Sequence, residues 1–599
     1  MSDSCNTRKV VYGRVPSARE SHTRFSSSRE THGDFSDTRE DYEVAESEVR
    51  EYFTGGKAQD SFRDPRGIQH SPFDHRRETL PPQSHTHDSD VDVSFETECD
   101  YGGKEVEPCT PDCAWAPEEN RKWISAGTPS REGGRTIVLL FDGTSDSFDS
   151  TNSNVVRLTS FLRKDDTTKQ LVYYQTGIGT YTDPWIVTPI VSKMSMVLDT
   201  MFAFTLDSHM KHGYKFLMDN YTAGDRICIF GFTRGAYTAR ALAGMLRKIG
   251  LLSKGNCEHL PFAYTMYKRD DPSSEIMSSM FKQTFSIDVK IDFVGVWDTV
   301  ASTGLVTKDL PFVNTNDGIR VFRHALALDE RRGKFIPTFY RQSNDTSAAS
   351  GDETKTTDAK EVWFAGAHCD VGGGSVKNSE RHSLARIPLR WMIRECFRAN
   401  TGIIFDAELL RDEAGLDMVP LKGSVTVSER PLPLQPLASA FFKFWWSLLT
   451  FPYKLFFGRY EPAEEVIAKA PLGEAEEELR DAVQPVYDQM ELHWLWRLID
   501  RIPFRAKKYN ESDEKKDTYQ WVLNFGFSRK IHKPIMDRGK IKVHRSVKTR
   551  LEAQESYGNA NRVPYIPRVR PNFGGSGEPR QLSLADWNVE SASWFEWEA

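Results

Sequence analysis

Three segments carry residues whose types and spacing could do chemistry. Gly231-Phe-Thr233-Arg234-Gly235 sets a hydroxyl between two glycines. That is the form of a nucleophile elbow, G-x-S-x-G, in which a tight strand-to-helix turn projects the nucleophile over a sheet. The outer glycines are needed because the turn brings the two backbones too close for a Cβ. The amide after the hydroxyl, here that of Arg234, would face an oxyanion at the start of the following helix. Asp298-Thr-Val300 comes next, and Gly366-Ala-His368-Cys-Asp370 after it. Nucleophile, acid, histidine is a chain order known for hydroxyl-nucleophile triads. In that chemistry His368 takes the proton of Thr233, and Asp298 orients the imidazole and stabilises it when charged. The N–H of Asp142 or Gly143 would be the second oxyanion donor, and no cofactor is required. The same side chains admit a different chemistry. Asp142, Asp298, His368 and Asp370 could hold a cation for metal-dependent phosphoester hydrolysis. A third reading is a non-catalytic scaffold that binds lipid or protein.

The elements that must position these residues are legible as apolar runs. Arg135-Thr-Ile-Val-Leu-Leu-Phe141, Leu171–Tyr174, Arg226–Phe230, Ile291–Trp297 and Val362–Phe364 are strand-length and continuous, as expected of strands covered on both faces. Helix-length stretches lie among them: Ser195 to Asn220, Ala236 to Ile249 and Leu384 to Ala399. Alternation of this kind predicts an α/β fold, a mostly parallel sheet with helices on both faces. Glu258 to Asp288 reads as a long polar insertion. Ligands of open parallel sheets bind beyond the carboxyl ends of the strands, and Asp142, Thr233, Asp298 and His368 each follow a predicted strand.

A resemblance joins these segments. Gly231-Phe-Thr-Arg-Gly-Ala-Tyr-Thr-Ala-Arg240 resembles the GFSRGAYTAR segment of an uncharacterised α/β-hydrolase domain family of fungi and bacteria. That family shares its catalytic domain with the phospholipase effectors of bacterial type VI secretion, the Tle type. Phe141-Asp-Gly-Thr144, Gly177-Ile-Gly-Thr180, Val294–Val300, Arg323–Arg331, Trp363–Gly374 and His544–Val547 also look like family segments. The resemblance spans roughly residues 135 to 400, with a weaker echo to about 567. It implies an α/β-hydrolase-like fold, a Ser-Asp-His triad carried onto Thr233, Asp298 and His368, and a lipid or acyl-ester substrate. The departure is Thr233, where the family has serine. β-Branching makes a strained elbow costlier, and the extra methyl crowds the attack trajectory.

Composition bounds the rest. The 599 residues are 39% hydrophobic with a net charge of −7, which gives no case for nucleic-acid binding. No Trp occurs before Trp115, and residues 1–130 are rich in Ser, Arg, Glu, Asp, His and Pro. Such a segment cannot bury enough apolar surface to offset its ordering entropy and reads as disordered. Deleting residues 1–120 is therefore expected to shift the thermal midpoint by no more than a few degrees in calorimetry; a large drop would mean that the segment packs. Cys99, Cys109 and Cys113 fit no standard zinc spacing and read as free thiols, and Cys228, within an apolar run, reads as a buried one. With no apolar leader in MSDSCNTRKV, the expectation is a cytoplasmic protein. Residues 131–400 then read as the hydrolase-like domain and 401–599 as a helical extension that completes it, as a lid or a membrane-contacting part. Phe441–Phe457 is the most apolar stretch, yet it is 17 residues long, holds two lysines and is broken by Pro452. It is too short for a spanning helix and reads as core, lid or an interfacial segment with peripheral membrane contact. Glu461–Gln489 is acidic with a helical pattern, and Leu492–Pro503 is an aromatic helix suited to cover Phe441–Phe457. Residues 501–550 carry 15 Lys/Arg against 5 Asp/Glu and read as a solvated face. Oligomeric state has no signature in the sequence.

Overall fold

A computed structural model describes residues 122–127, 134–143, 146, 148–177, 191–300, 310–341, 356–417, 421, 473–508, 518–532, 539–555, 565–573, 579–587, 592 and 594–598. Phe441–Phe457 and residues 1–121 lie outside the described residues.

Eight parallel strands form one sheet. In chain order they are β1 (Thr136–Phe141), β2 (Gln170–Gln175), β3 (Arg226–Phe232), β4 (Ile291–Trp297), β5 (Ile319–Ala327), β6 (Asp358–Phe364), β7 (Ile541–His544) and β8 (Phe595–Glu598). The order across the sheet is β8-β7-β6-β5-β4-β3-β1-β2, and every neighbouring pair is parallel. The chain leaves β1 for edge strand β2 and then crosses back to β3 on the other side of β1. Strand order reverses there, and such a switch point is where open parallel sheets bind their ligands.

The helices that concern the site are α1 (Asn154–Phe161), α2 (Val191–Asn220), α3 (Thr233–Ile249), α4 (Leu260–Lys268), α5 (Pro272–Phe285), α6 (His368–Gly372), α7 (Arg386–Arg398) and α8 (Glu474–Ala482). They cover both faces, and β1 shows how. Ile137, Leu139 and Phe141 pack into the core formed with α2 and α3, while Val138 and Leu140 pack into the opposite core with α1 and α7. A strand that is apolar at every position is the consequence of burial on both sides. The α/β architecture, α/β-hydrolase-like with helices on both faces, is as the sequence reads.

Several local expectations need correction. Glu258–Asp288 is not simply polar: it folds into α4 and α5, which bury Leu260, Ala263, Tyr264, Tyr267 and Phe281 in the core beside α3. Order begins before residue 130, because Trp123–Ser125 pairs with Ile404–Asp406. Past residue 400 the chain is not only helical, since β7 and β8 complete one edge of the sheet. Within the expected acidic stretch helix α8 forms, and four of its five acids, Glu474, Glu477, Glu478 and Asp481, are buried. Glu474, Glu477 and Asp481 receive Arg394, Arg386 and Arg390 from α7, at 2.8, 2.7 and 2.7 Å. The basic run is not only a solvated face, because Arg529 and Arg550 are buried. Among the described residues no helix is long and apolar enough to cross a membrane.

Candidate active site

The sheet register lines up the predicted residues. Phe141 pairs with Gly231, Phe232 with Trp297, Trp297 with Ala325, and Ala327 with Phe364. Asp142, Thr233 and Asp298 therefore leave adjacent strands at nearly one level, and His368 follows four residues after β6. Gly231 and Gly235 flank the turn from β3 into α3. A Cβ on Gly231 would lie 2.6 Å from the Gly235 carbonyl oxygen, and one on Gly235 would lie 2.3 Å from the carbonyl oxygens of Phe141 and Asp142. No side chain fits at either position. Between them Thr233 takes φ 51° at the start of α3, a left-handed conformation that is an outlier for a β-branched residue. Asp298 is also left-handed, at φ 40°. Two strained residues at adjacent strand ends are the kind of outlier from which function is inferred.

Asp298 and His368 meet. His368 Nδ1 lies 2.5 Å from Asp298 Oδ2, with both side chains buried. Phe232, the residue before Thr233, stacks on the imidazole at 4.7 Å, and Phe335 meets its edge at 4.9 Å. The Thr233 carbonyl accepts from Val300 N at 3.4 Å, which ties the elbow to the loop behind Asp298. Burial pushes His368 below the ordinary imidazole range, with the hydrogen bond and charge of Asp298 opposing. Burial thus favours the neutral ring, the state a general base needs.

The largest influence on Asp298 is burial, which disfavours its charge, yet its pKa is held well below the usual carboxylate range. The reason is a residue that sequence reasoning missed. Arg529 clamps the carboxylate with both terminal nitrogens, Nη1 to Oδ1 at 2.6 Å and Nη2 to Oδ2 at 2.7 Å. The Ala327 amide adds a bond at 3.0 Å. Arg529 is anchored in turn on the Phe335 carbonyl, at 2.9 and 2.7 Å. A second ion pair steadies the histidine backbone: His368 N donates to Glu330 Oε2 at 3.1 Å, and Arg332 holds Glu330 through two bonds of 2.9 Å. Burial again opposes, but Arg332 brings Glu330 down to about 2. Arg529 lies 231 positions from its partner, and no spacing rule connects them. The family-like segment Arg323–Arg331 was the available signal for Glu330.

Two predicted oxyanion donors are engaged elsewhere. The Asp142 amide donates to the Gln175 carbonyl at 3.0 Å, because β1–β2 pairing runs one residue past Phe141. The Gly143 amide donates to the carboxylate of Asp142 at 2.8 Å. Asp142 also accepts from Ser153 and Tyr174, at 2.7 and 2.8 Å, and is a structural hub at the end of β1. Arg234 sits in the first turn of α3, directly after Thr233.

The four-residue cation site does not assemble. Among the described residues no three of Asp142, Asp298, His368 and Asp370 bring ligand atoms within 4.8 Å of one another. Asp298 is saturated by Arg529 and His368, and Asp370 Oδ2 accepts the amides of Ala367 and Tyr487 at 2.8 and 2.9 Å. The described cluster with metal-like spacing is His382, Glu477 and Asp481, and Arg386 already supplies a cation there.

Asp370 gives a testable pH effect. Burial raises its pKa to about 7, against the two amide bonds. Its folded pKa lies above its unfolded value of about 3.9, so the stability it contributes is full below that pH and is lost as pH rises through about 7. Asp370→Asn keeps an acceptor and removes the titration. The variant is expected to gain stability relative to wild type between about pH 4 and 7, with a constant gap above. Denaturant unfolding at pH 4.5 and pH 8 measures it; an equal difference at both would refute the shift.

With the geometry in place, comparison with known proteins adds the following. Residues 135–395 match the family model described as "T6SS, Phospholipase effector Tle1-like, catalytic domain". The resemblance read from the sequence holds over that region. The Tle1-like region contains Thr233, Asp298 and His368 and stops before Arg529. An uncharacterised protein of Saccharomyces cerevisiae, YEL023C, is 40% identical over 218 residues, 34% of this chain and 32% of that protein. The match thus spans about a third of the relative. Two solved structures overlap parts of the chain. An uncharacterised protein from Pseudomonas aeruginosa has 16% identity and a TM-score of 0.26, covering 46% of this chain and 47% of its own. The Tle1 effector bound to the VgrG spike of the type 6 secretion system has 18% identity and a TM-score of 0.23, covering 41% and 52%.

Proposed function

We propose that the protein is an acyl-ester hydrolase of the phospholipase type, with Thr233 as nucleophile, His368 as general base and acid, and Asp298 as its orienter. The buried Asp298–His368 pair, set beside a strained hydroxyl residue at the switch point of the sheet, carries this reading. In the first step Thr233 Oγ1 attacks the ester carbonyl while His368 Nε2 takes its proton. The resulting imidazolium is stabilised through Nδ1 by Asp298. The oxyanion lies at the start of α3, near the Arg234 amide. The proton passes to the leaving alcohol, and water repeats the sequence to release the acid. The description of the matching family supports a lipid substrate. Exposed Trp494, Trp521, Phe525 and Phe527 are the side chains that would meet a membrane surface peripherally.

A fluorogenic acyl-ester assay on the full chain tests this. The expected result is turnover that chelator leaves unchanged and His368→Ala abolishes. Turnover that chelator removes, or that survives His368→Ala, would overturn it. Because the imidazole pKa is lowered, kcat/KM is expected to hold its plateau to below about pH 6.5, the value of an ordinary histidine.

A further inference from the structure

The walls that hold the catalytic pair also bound a second space. Phe335, which touches His368, and Arg529, which grips Asp298, line a cavity of about 1180 Å³ built largely from the chain past residue 480. Its described lining includes eight Lys and Arg side chains and neither Asp nor Glu. Acids outside the lining answer four of them: Asp298 pairs with Arg529, Glu330 with Arg332, and Asp488 and Glu491 with Arg331 and Arg568. Lys530, Arg550 and Arg580 have no ion pair with a described residue.

Arg550 is the informative one. Its side chain is 4% exposed, and Nη1 donates to the carbonyls of Ala482 and Gln484 at 2.7 and 2.6 Å. Its guanidinium lies 4.6 Å from the Tyr565 ring centre, and Nε has no hydrogen-bond partner among the described residues. Burial lowers its pKa. A buried guanidinium that touches no carboxylate directly, and feels Asp329 and Asp370 only at longer range, is costly, and an anion in the cavity would relieve that cost. Phe504, Val522 and Phe527 line the same space, so it offers apolar walls as well as cationic ones.

We propose that this cavity seats a phosphate ester, with the phosphate drawn by Arg550, Lys530 and Arg580 and the apolar remainder lying along Phe504 and Phe527. The seat rests on the esterase reading in taking that ester for the substrate, its headgroup held behind the catalytic pair. Guanidinium forks suit phosphate oxygens, and charge-assisted bonds carry most of the affinity of such a site.

The test measures binding, so it does not depend on turnover. The full chain carrying Thr233→Ala is titrated with glycerol 3-phosphate by calorimetry, and sedimented with vesicles of phosphatidylcholine alone or with phosphatidic acid added. Lys530→Gln combined with Arg580→Gln changes two exposed residues and is expected to weaken binding about 10-fold or more. Arg550→Gln, checked for an unchanged unfolding transition, should weaken it at least as much. Binding to phosphatidic acid vesicles but not to glycerol 3-phosphate supports a lipid headgroup as the ligand. Binding of glycerol 3-phosphate alone supports a soluble phosphate ester in the same seat. No phosphate-dependent binding in either arm, or binding that both variants leave intact, overturns the proposal. A chain that hydrolyses neutral acyl esters yet ignores phosphate fails here alone. One that binds phosphate and never turns over instead fails as an esterase.

Discussion

Thr233→Ser is expected to raise acyl-ester turnover by on the order of 10-fold or more, equivalent to about 1.4 kcal/mol of barrier. The backbone at residue 233 is left-handed, φ 51°, where a β-branched side chain is strained. The methyl lies against Gly143, where an added Cβ would fall 2.6 Å from Thr233 Cγ2. Serine keeps the hydroxyl and removes that methyl, which frees the approach to the ester carbonyl. Misplacement of ~1 Å in such a trajectory can cost ~100-fold. Thr233→Ala should abolish turnover while the unfolding transition stays in place. If both variants leave a measured activity unchanged, residue 233 is not the nucleophile. A serine variant that gains activity from a silent parent would instead describe the natural chain as a disabled hydrolase.

Arg529→Met is expected to lower stability by about 3–5 kcal/mol, as breaking a buried ion pair does when one charge is left behind. Asp298 is fully buried, and without its clamp the carboxylate keeps only His368 and one amide. In the wild type the folded pKa of Asp298 is depressed. Its contribution to stability is therefore present above the unfolded value of about 3.9 and is lost as pH falls below it. In the variant burial dominates and that contribution disappears. The gap between the two proteins should be full near neutral pH and close in acid, which denaturant unfolding at pH 3.5 and pH 7 would resolve. Arg529→Lys restores the charge but not the two-pronged geometry, so partial recovery is expected. A stability gap independent of pH would show that Arg529 acts through packing and not through Asp298.

The continuous apolar runs of β1, β3 and β4 made the parallel sheet legible, because a strand buried on both faces has no polar position to hide it. The turn was legible for a partly local reason: Gly231 answers a steric conflict with Gly235 four residues on, while Gly235 makes room for the end of β1. Asp298 and His368 could be found because one directly follows a strand and the other comes four residues after one, and strand ends are where such sheets place their ligands.

Other features left no local trace. β5 was missed because Arg323 and His324 interrupt its apolar pattern, and both are buried there against Asp358, Glu395 and Glu361. β7 and β8 are four residues each, too short for a period to register. Nothing in a run of lysines and arginines says which of them turns inward. Thus the sequence by itself determined five of the eight strands, the glycine-flanked turn and the chain order of the three candidate site residues. Only the tertiary structure decided that Arg529 clamps Asp298, that the Asp142 and Gly143 amides are already engaged, and that the basic segment lines a cavity. Those outcomes depend on which charges are buried together, and burial brings together residues hundreds of positions apart.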